Sequence, residues 1–524
     1  MRLVDYLDKG ASLSPAAPCL TTDGISTSYA EVVDASHRIA GSLRARGIAP
    51  GDKVAIISAN DPLAFTCVFG ISRADAVWCP INPRNEAGEN RELLDLFDCE
   101  VVIFQAAFAP LVEAIRGDLP RVHSWIRLDD DVSPGDADPT VLGWSDFLSE
   151  HSLESGRPST TPATPVPPAD TLAMLVGTGG TTGRPKGVML SHGNLETMTA
   201  LTLMGYPFGD RPVYLALAPL THAAGVLCFP ILASGGEIVI MRSPDVHAFL
   251  SLIAEHRVTH TFLPPTLIYM VLAADELDET DLGSLRCFWY GAAPMSAVRL
   301  EEAITRIGPV MAQLFGQTEA PMMIAMMPPA DHVDEHGAVR RERLSAVGRP
   351  APLVTVAIMD DQDRPVPARE RGEICARSSL VMQGYYKNPE ATAEALRNGW
   401  LHTGDIGFLD PDGFLHIVDR AKDMFITGGL NVYSSEVEQA VSAHPAVQDC
   451  AVVGLPDDKW GERVVAVIQP AAGHTIDAAE LTAFVKSRLG SVKAPKQIEV
   501  WDDLPRSKVD KVLKTDVKAR LKNG

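Results

Sequence analysis

Residues 177–187 read GTGGTTGRPKG, and a run of glycines and threonines closing on a lysine has the means to hold a phosphate. Glycines let a backbone approach an anion, hydroxyls and amide N–H groups bond its oxygens, and a lysine adds a point charge. The spacing departs from the P-loop G-x-x-x-x-G-K-[ST], whose lysine opens a helix. Pro185 precedes Lys186, Gly187 follows it, and Val188-Met189-Leu190 is apolar, so Lys186 is expected to open a strand. Five more polar clusters interrupt apolar text: PLTHAAG (219–225), LFGQTEA (314–320), WLHTGD (400–405), DRAKD (419–423) and LPRSKVDK (504–511). Each alone has a plain reading, His222 as a packed histidine, Glu319 as a solvated carboxylate, Asp405 as a turn former and Lys511 as part of a solvated tail.

The elements that must position these clusters follow from texture. From about residue 25 to 240, apolar segments such as KVAIIS, VVIFQ, AMLVG and EIVIM alternate with helix-like stretches such as YAEVVDASHRIAGSLRARG, the pattern of α/β layers. HSLESGRPSTTPATPVPPAD (151–170) is rich in Pro, Ser and Thr and is expected to be an exposed connector. Near residue 420 the texture changes to a capped helix at SSEVEQAVSA, strands around CAVVG and RVVAVI, and a helix AAELTAFVKSRLG ending in glycine. The expected fold is therefore a large α/β N-terminal domain of layered sheets and helices, residues 1–420, followed by a small α+β C-terminal domain, residues 421–524.

Composition removes whole classes of function. A net charge of −21 argues against nucleic acid or an anionic membrane as partner. The opening MRLVDYLDKG lacks the apolar core of a secretory signal, and no uninterrupted apolar stretch is long enough to span a bilayer, so a cytoplasmic protein is expected. Eight cysteines, without C-x-x-C pairs and mostly beside apolar residues, suit buried reduced thiols, and no structural metal is expected.

In order and content the clusters resemble the adenylate-forming superfamily of acyl-CoA synthetases, adenylation domains and luciferases, whose glycine loop T-[SG]-G-T-T-G-x-P-K-G matches Thr178 to Gly187. The resemblance implies that Thr178, Gly179, Gly180, Thr181, Thr182, Gly183 and Lys186 hold the β- and γ-phosphates of ATP. It puts Phe315 on the adenine, against Gly291 and Ala292, and Thr318 on the α-phosphate. Glu319 is implied as the Mg²⁺ ligand, Asp405 as the ribose acceptor, Arg420 as a ribose or phosphate contact, and His222 as the wall at the carboxylate end of the acyl pocket. It also implies a C-terminal domain that turns about a hinge at Lys422, presenting Lys511 for adenylation and then the Gly428-Gly429 loop for the thiol. Two residues depart from the common pattern: Gly179 replaces a serine, and Asp510 replaces the glycine before Lys511.

The substrates implied are ATP, coenzyme A and a small carboxylic acid, with a homodimer compatible. Amino-acid-activating relatives carry an aspartate where Thr221-His222 stands here, so an amino acid is not expected. The segments Ala223 to Leu227, Tyr290 to Pro294 and Ala320 to Met323 bring no Lys or Arg, and a second buried charge without a partner would be costly. A monocarboxylate with an apolar body is expected, with fatty, aryl and alicyclic acids ranked in that order. A separate carrier protein as acceptor and a binding protein without turnover are the alternatives.

Overall fold

The computed structural model describes residues 1–129, 141–149, 167–178, 185–220, 223–420, 423–427, 430–457, 459–471, 473–506 and 512–523. Within them the apolar runs become parallel sheet. Lys53–Ile57 pairs in parallel with Val77–Ile81 and Cys99–Phe104, and Val77–Ile81 is buried throughout, as continuous apolar text requires of a strand covered on both faces. The sheet continues through Leu172–Thr178, reverses into the antiparallel Lys186–Ser191, and ends at the short edge strand Gly384–Tyr385. Lys186 thus opens a strand, as its apolar neighbours predict, with Thr178 directly opposite.

A second sheet carries the parallel strands Val213–Ala216, Glu237–Ile240, His260–Leu263, Cys287–Gly291 and Met311–Gln317, then reverses into Ala320–Met327. One apolar cluster, holding Trp78, Met174 and Val188 from the first sheet and Tyr214, Trp289 and Met323 from the second, joins the two. Phe288 and Tyr290, alternating with Trp289 along their strand, belong instead to a separate cluster with Phe249. A four-stranded antiparallel sheet follows: Thr355–Met359, Gly372–Arg377, Leu401–Leu409 and Leu415–Arg420.

The smaller C-terminal domain is α+β. Its sheet contains Phe425–Thr427, Leu430–Val432, Val447–Asp457, Gly461–Pro470 and Gln497–Val500. The helices Ser434–Ser442 and Ala478–Lys493 cover it, and Val437, Val452, Ile468 and Val485 form a core of their own.

One helix start differs from expectation. Ser434–Ser442 starts after Tyr433 and has no side-chain cap; Ser434 Oγ donates instead to Asp419 Oδ2 at 2.7 Å, and Ser435 Oγ bonds the Val418 carbonyl. A charged acceptor forms the stronger bond, so the hydroxyls serve a long-range contact rather than their own helix. Gly490, expected as the end of its helix, takes φ 79°, a non-helical conformation that breaks the helix there before a last short turn to Lys493. All eight cysteines are buried and free, as their apolar neighbours predict. The connector expected over 151–170 lies outside the described residues up to 166. Among the described residues no helix is long and apolar enough to cross a membrane.

Candidate active site

The parallel strands Cys287–Gly291 and Met311–Gln317 end side by side, with Gly291 opposite Leu314. A side chain at Gly291 would place its Cβ 2.3 Å from the Leu314 carbonyl oxygen, so glycine is required for the strands to lie this close. Ala292, the next residue, is held at φ 65°, a conformation rare for a residue with a side chain. Phe315 is buried just beyond Leu314. Gln317 pairs with Ala320, so Thr318 and Glu319 form the tip of a tight turn at the strand end.

Glu319 is tied to the first sheet. Its carbonyl accepts the Met382 N–H at 2.8 Å, and its Oε1 accepts a hydrogen bond from the Tyr385 hydroxyl at 2.7 Å. Burial, then the nearby Glu319 carboxylate, push the Tyr385 phenol well above its ordinary value, so it remains a donor. Lys186 Nζ sits 4.8 Å from the centre of the same ring, within the range of a cation–π contact. Lys186 and Glu319, far apart in sequence, thus meet the same tyrosine. Glu319 Oε2 takes no hydrogen bond among the described residues, and a carboxylate beside a threonine hydroxyl is a hard oxygen donor set that fits Mg²⁺.

Asp405 and Arg420 face each other on paired antiparallel strands, Arg420 Nε lying 2.6 Å from Asp405 Oδ1. The turn leading to Asp405 is fastened by Glu373, whose Oε1 accepts the Gly404 N–H at 3.0 Å and whose Oε2 lies 2.8 Å from His402 Nδ1. Thr403 Oγ1 donates to the Ile374 carbonyl and accepts the Asp405 N–H. Glu373, Cys375 and His402 are the one trio of potential metal ligands that comes together among the described residues. Arg397 Nη2 already donates to the Glu373 carboxylate at 3.0 Å, an ion pair that opposes a metal there.

His222, Gly179, Gly180, Thr181, Thr182, Gly183, Lys422, Gly428, Gly429, Asp510 and Lys511 lie outside the described residues. Their flanks are well fastened. Asn60 Nδ2 donates to the carbonyls of Leu217, Ala218 and Met241, and its Oδ1 accepts the Leu220 N–H at 2.9 Å, pinning the chain that leads to His222. Arg506 bridges to Val512 and pairs with Asp449 at 2.6 Å. Lys514 Nζ reaches Ser434 Oγ at 2.5 Å and Glu438 Oε2 at 3.0 Å, which joins the segment after Lys511 to Asp419 through Ser434.

The expected acyl lining divides. Val226, Leu227, Ala320 and Met323 share the cluster between the sheets, whereas the Tyr290 side chain lies in the other cluster, its hydroxyl 3.1 Å from Gln313 Oε1 and 2.9 Å from His332 Nε2. Strand alternation separates residues that are neighbours in sequence. Sequence reasoning missed Tyr385, Glu373 and Asn60; GYYKNP, GEICAR and SANDP hold no pattern that assigns them partners so distant.

The comparisons identify the chain that carries these strands and this turn as an adenylate-forming ligase. The profile of AMP-binding enzymes matches residues 7–386 and that of the AMP-binding enzyme C-terminal domain matches residues 436–511. The chain belongs to the AMP-binding enzyme family and is an acid–thiol ligase of the adenylate-forming type. It is 36% identical to a feruloyl-CoA synthase of an Amycolatopsis species over 98% of this chain and 97% of that protein. Similarity to a medium/long-chain-fatty-acid–CoA ligase of Mycobacterium tuberculosis reaches 42% identity over 68% of this chain and 62% of that one. Among solved structures, the amide bond synthetase McbA of Marinactinospora thermotolerans superposes with a TM-score of 0.86 at 30% identity, covering 99% of each chain.

Proposed function

We propose that this protein joins an apolar monocarboxylic acid to coenzyme A at the expense of ATP, with an acyl-adenylate as intermediate. The observation that carries the proposal is the convergence of Lys186 and Glu319 on Tyr385, which gathers a phosphate-binding cation and a metal-binding carboxylate from two different sheets. A carboxylate oxygen of the acid attacks the α-phosphorus, the bond to the β-phosphate breaks, and pyrophosphate leaves. Lys186, Thr178 and the loop Gly179 to Gly183 hold the departing phosphates. Thr318 bonds the α-phosphate, Phe315 packs on adenine beside Gly291 and Ala292, and Asp405 with Arg420 takes the ribose. Glu319 would hold Mg²⁺, which supplies positive charge beside the phosphates.

The domain boundary then falls at 420/421 with Lys422 as the hinge. Lys511 offsets the charge of carboxylate and α-phosphate during adenylation. In the second orientation the Gly428-Gly429 loop lines the thiol's path, the thiol sulfur attacks the acyl carbon as its proton is lost, and AMP leaves. His222 closes the carboxylate end of the acyl pocket.

A fatty acid is the first reading of the substrate, favoured by the buried aliphatic and thioether surface of Val226, Leu227 and Met323 and by the likeness to the fatty-acid–CoA ligase. An aryl acid is the second, favoured by the end-to-end likeness to feruloyl-CoA synthase. The test is incubation with ATP, Mg²⁺ and a panel of fatty, hydroxycinnamic and alicyclic acids, with and without coenzyme A, scored for AMP and thioester by mass spectrometry. ADP as product would overturn the adenylate route, and AMP without thioester would point to another acceptor.

A further inference from the structure

The two groups proposed to grip MgATP carry opposite charge, stand on the same tyrosine and do not pair with each other. Lys186 Nζ lies over the face of the Tyr385 ring, 4.8 Å from its centre, while the hydroxyl of that ring holds Glu319 Oε1 at 2.7 Å. No ion pair joins Lys186 to Glu319 among the described residues. A lysine and a glutamate free to meet would neutralise each other and compete with both the triphosphate and the metal.

We infer that Tyr385 is a positioning residue that keeps Lys186 and Glu319 apart and aimed, the ring face parking the ammonium and the hydroxyl fixing one carboxylate oxygen so that the other is left for the metal. The backbone around it is built to hold the ring. Tyr385 pairs with Val188, two residues along the strand that Lys186 opens. Its N–H donates to Thr392 Oγ1 at 2.8 Å, and the N–H of Tyr386 donates to the Gly187 carbonyl at 2.7 Å. Gly384 before it adopts φ 141°, and a Cβ there would meet Thr392 Cγ2 at 2.6 Å, so the approach to Tyr385 is closed to other residues. Met382 N–H on the Glu319 carbonyl fastens the same segment to the turn from the other side. The ring therefore has little freedom to follow either charge.

The inference rests on the roles proposed above for Lys186 and Glu319, and direct ATP binding by the full-length protein, without acid or coenzyme A, tests the two separately. Affinity for ATP is measured by calorimetry with excess MgCl₂ and with EDTA, in wild type, Tyr385→Phe, Tyr385→Leu and Glu319→Gln, with melting temperatures recorded alongside. Tyr385→Phe keeps the ring and loses the hydroxyl. It should lose about tenfold of the affinity that Mg²⁺ adds, the scale of one hydrogen bond to a charged group, and bind ATP in EDTA as wild type does. Tyr385→Leu loses the ring as well and should weaken binding in both conditions. An unchanged Mg²⁺ effect in Tyr385→Phe, with Glu319→Gln abolishing it, overturns the role of Tyr385 and leaves Glu319 as the metal ligand. If Glu319→Gln keeps the full Mg²⁺ effect, the metal assignment itself fails. Should Tyr385→Leu be poorly folded, the near-isosteric Tyr385→Phe decides alone.

Discussion

Arg420 Nε lies 2.6 Å from Asp405 Oδ1, across two antiparallel strands that set the two residues opposite each other. Asp405 is almost fully buried and Arg420 is 39% exposed, so the pair joins an interior carboxylate to a guanidinium that water still reaches. Arg420→Ala should lower stability by roughly 1–2 kcal/mol, less than for a fully buried pair because water reaches the arginine. The double variant Asp405→Ala/Arg420→Ala should lose less than the sum of the single losses. Denaturant titrations of the four proteins measure this coupling; strict additivity would show that the pair contributes nothing.

Lys514 is the sequel at the far end of the chain. Its ammonium meets the part-buried Glu438 carboxylate and Ser434, which in turn bonds Asp419. Lys514→Met removes the cation from a part-buried carboxylate that keeps, among the described residues, only the Val452 N–H and should cost about 1.5–3 kcal/mol. Glu438→Leu combined with it should recover much of that loss. Because Lys511 is three residues away, the single variant should also slow adenylation more than thioester formation from supplied acyl-adenylate. Equal slowing of both half-reactions would place Lys514 outside the positioning of Lys511.

Lys511→Ala should reduce adenylation about a hundredfold, by analogy with the loss of one group aimed at developing charge. Synthetic acyl-adenylate and coenzyme A should still give thioester at near the wild-type rate. The comparison separates the two proposed orientations, and equal impairment of both steps would contradict a two-orientation cycle.

Burial depresses the imidazoles of His192, His260 and His332 from 6.5 to about 4. The unfolded chain therefore binds more protons than the folded one between those limits, and stability must rise with pH across that window. It is fully present above pH 6.5 and is lost as pH falls toward 4, by up to about 3 kcal/mol for a fully buried ring. Urea midpoints measured between these limits check the slope; a level profile would mean that the rings do not stay neutral.

Local chemistry was readable from sequence, and distant partnership was not. Lys186 could be assigned to a strand because three apolar residues follow it, and the cysteines to the interior because of the residues beside them. The order of the polar clusters identified the family. What escaped were side chains whose role comes from another element: Tyr385 from Glu319, Glu373 from Gly404, Asn60 from the chain before His222. The serines at the start of Ser434–Ser442 mislead for the same reason, since a hydroxyl that looks like a helix cap is taken by Asp419, fifteen residues earlier. Tyr290 shows the limit within one element, where a segment named as pocket lining contributes side chains to both faces of its sheet.

The burial of every native thiol makes the molecule a clean host for site-directed labelling. Burial pushes Cys375 up to about 12, and Cys67 and Cys287 higher still, so almost no thiolate is available to react with maleimides or to exchange with a disulfide. A cysteine introduced on the exposed Val298 of the large domain and another on the exposed Val500 of the small one would then carry dyes without removal of any native residue. The distance between those dyes, followed as ATP, acid and thiol are added in turn, would test in real time the rotation proposed for the small domain.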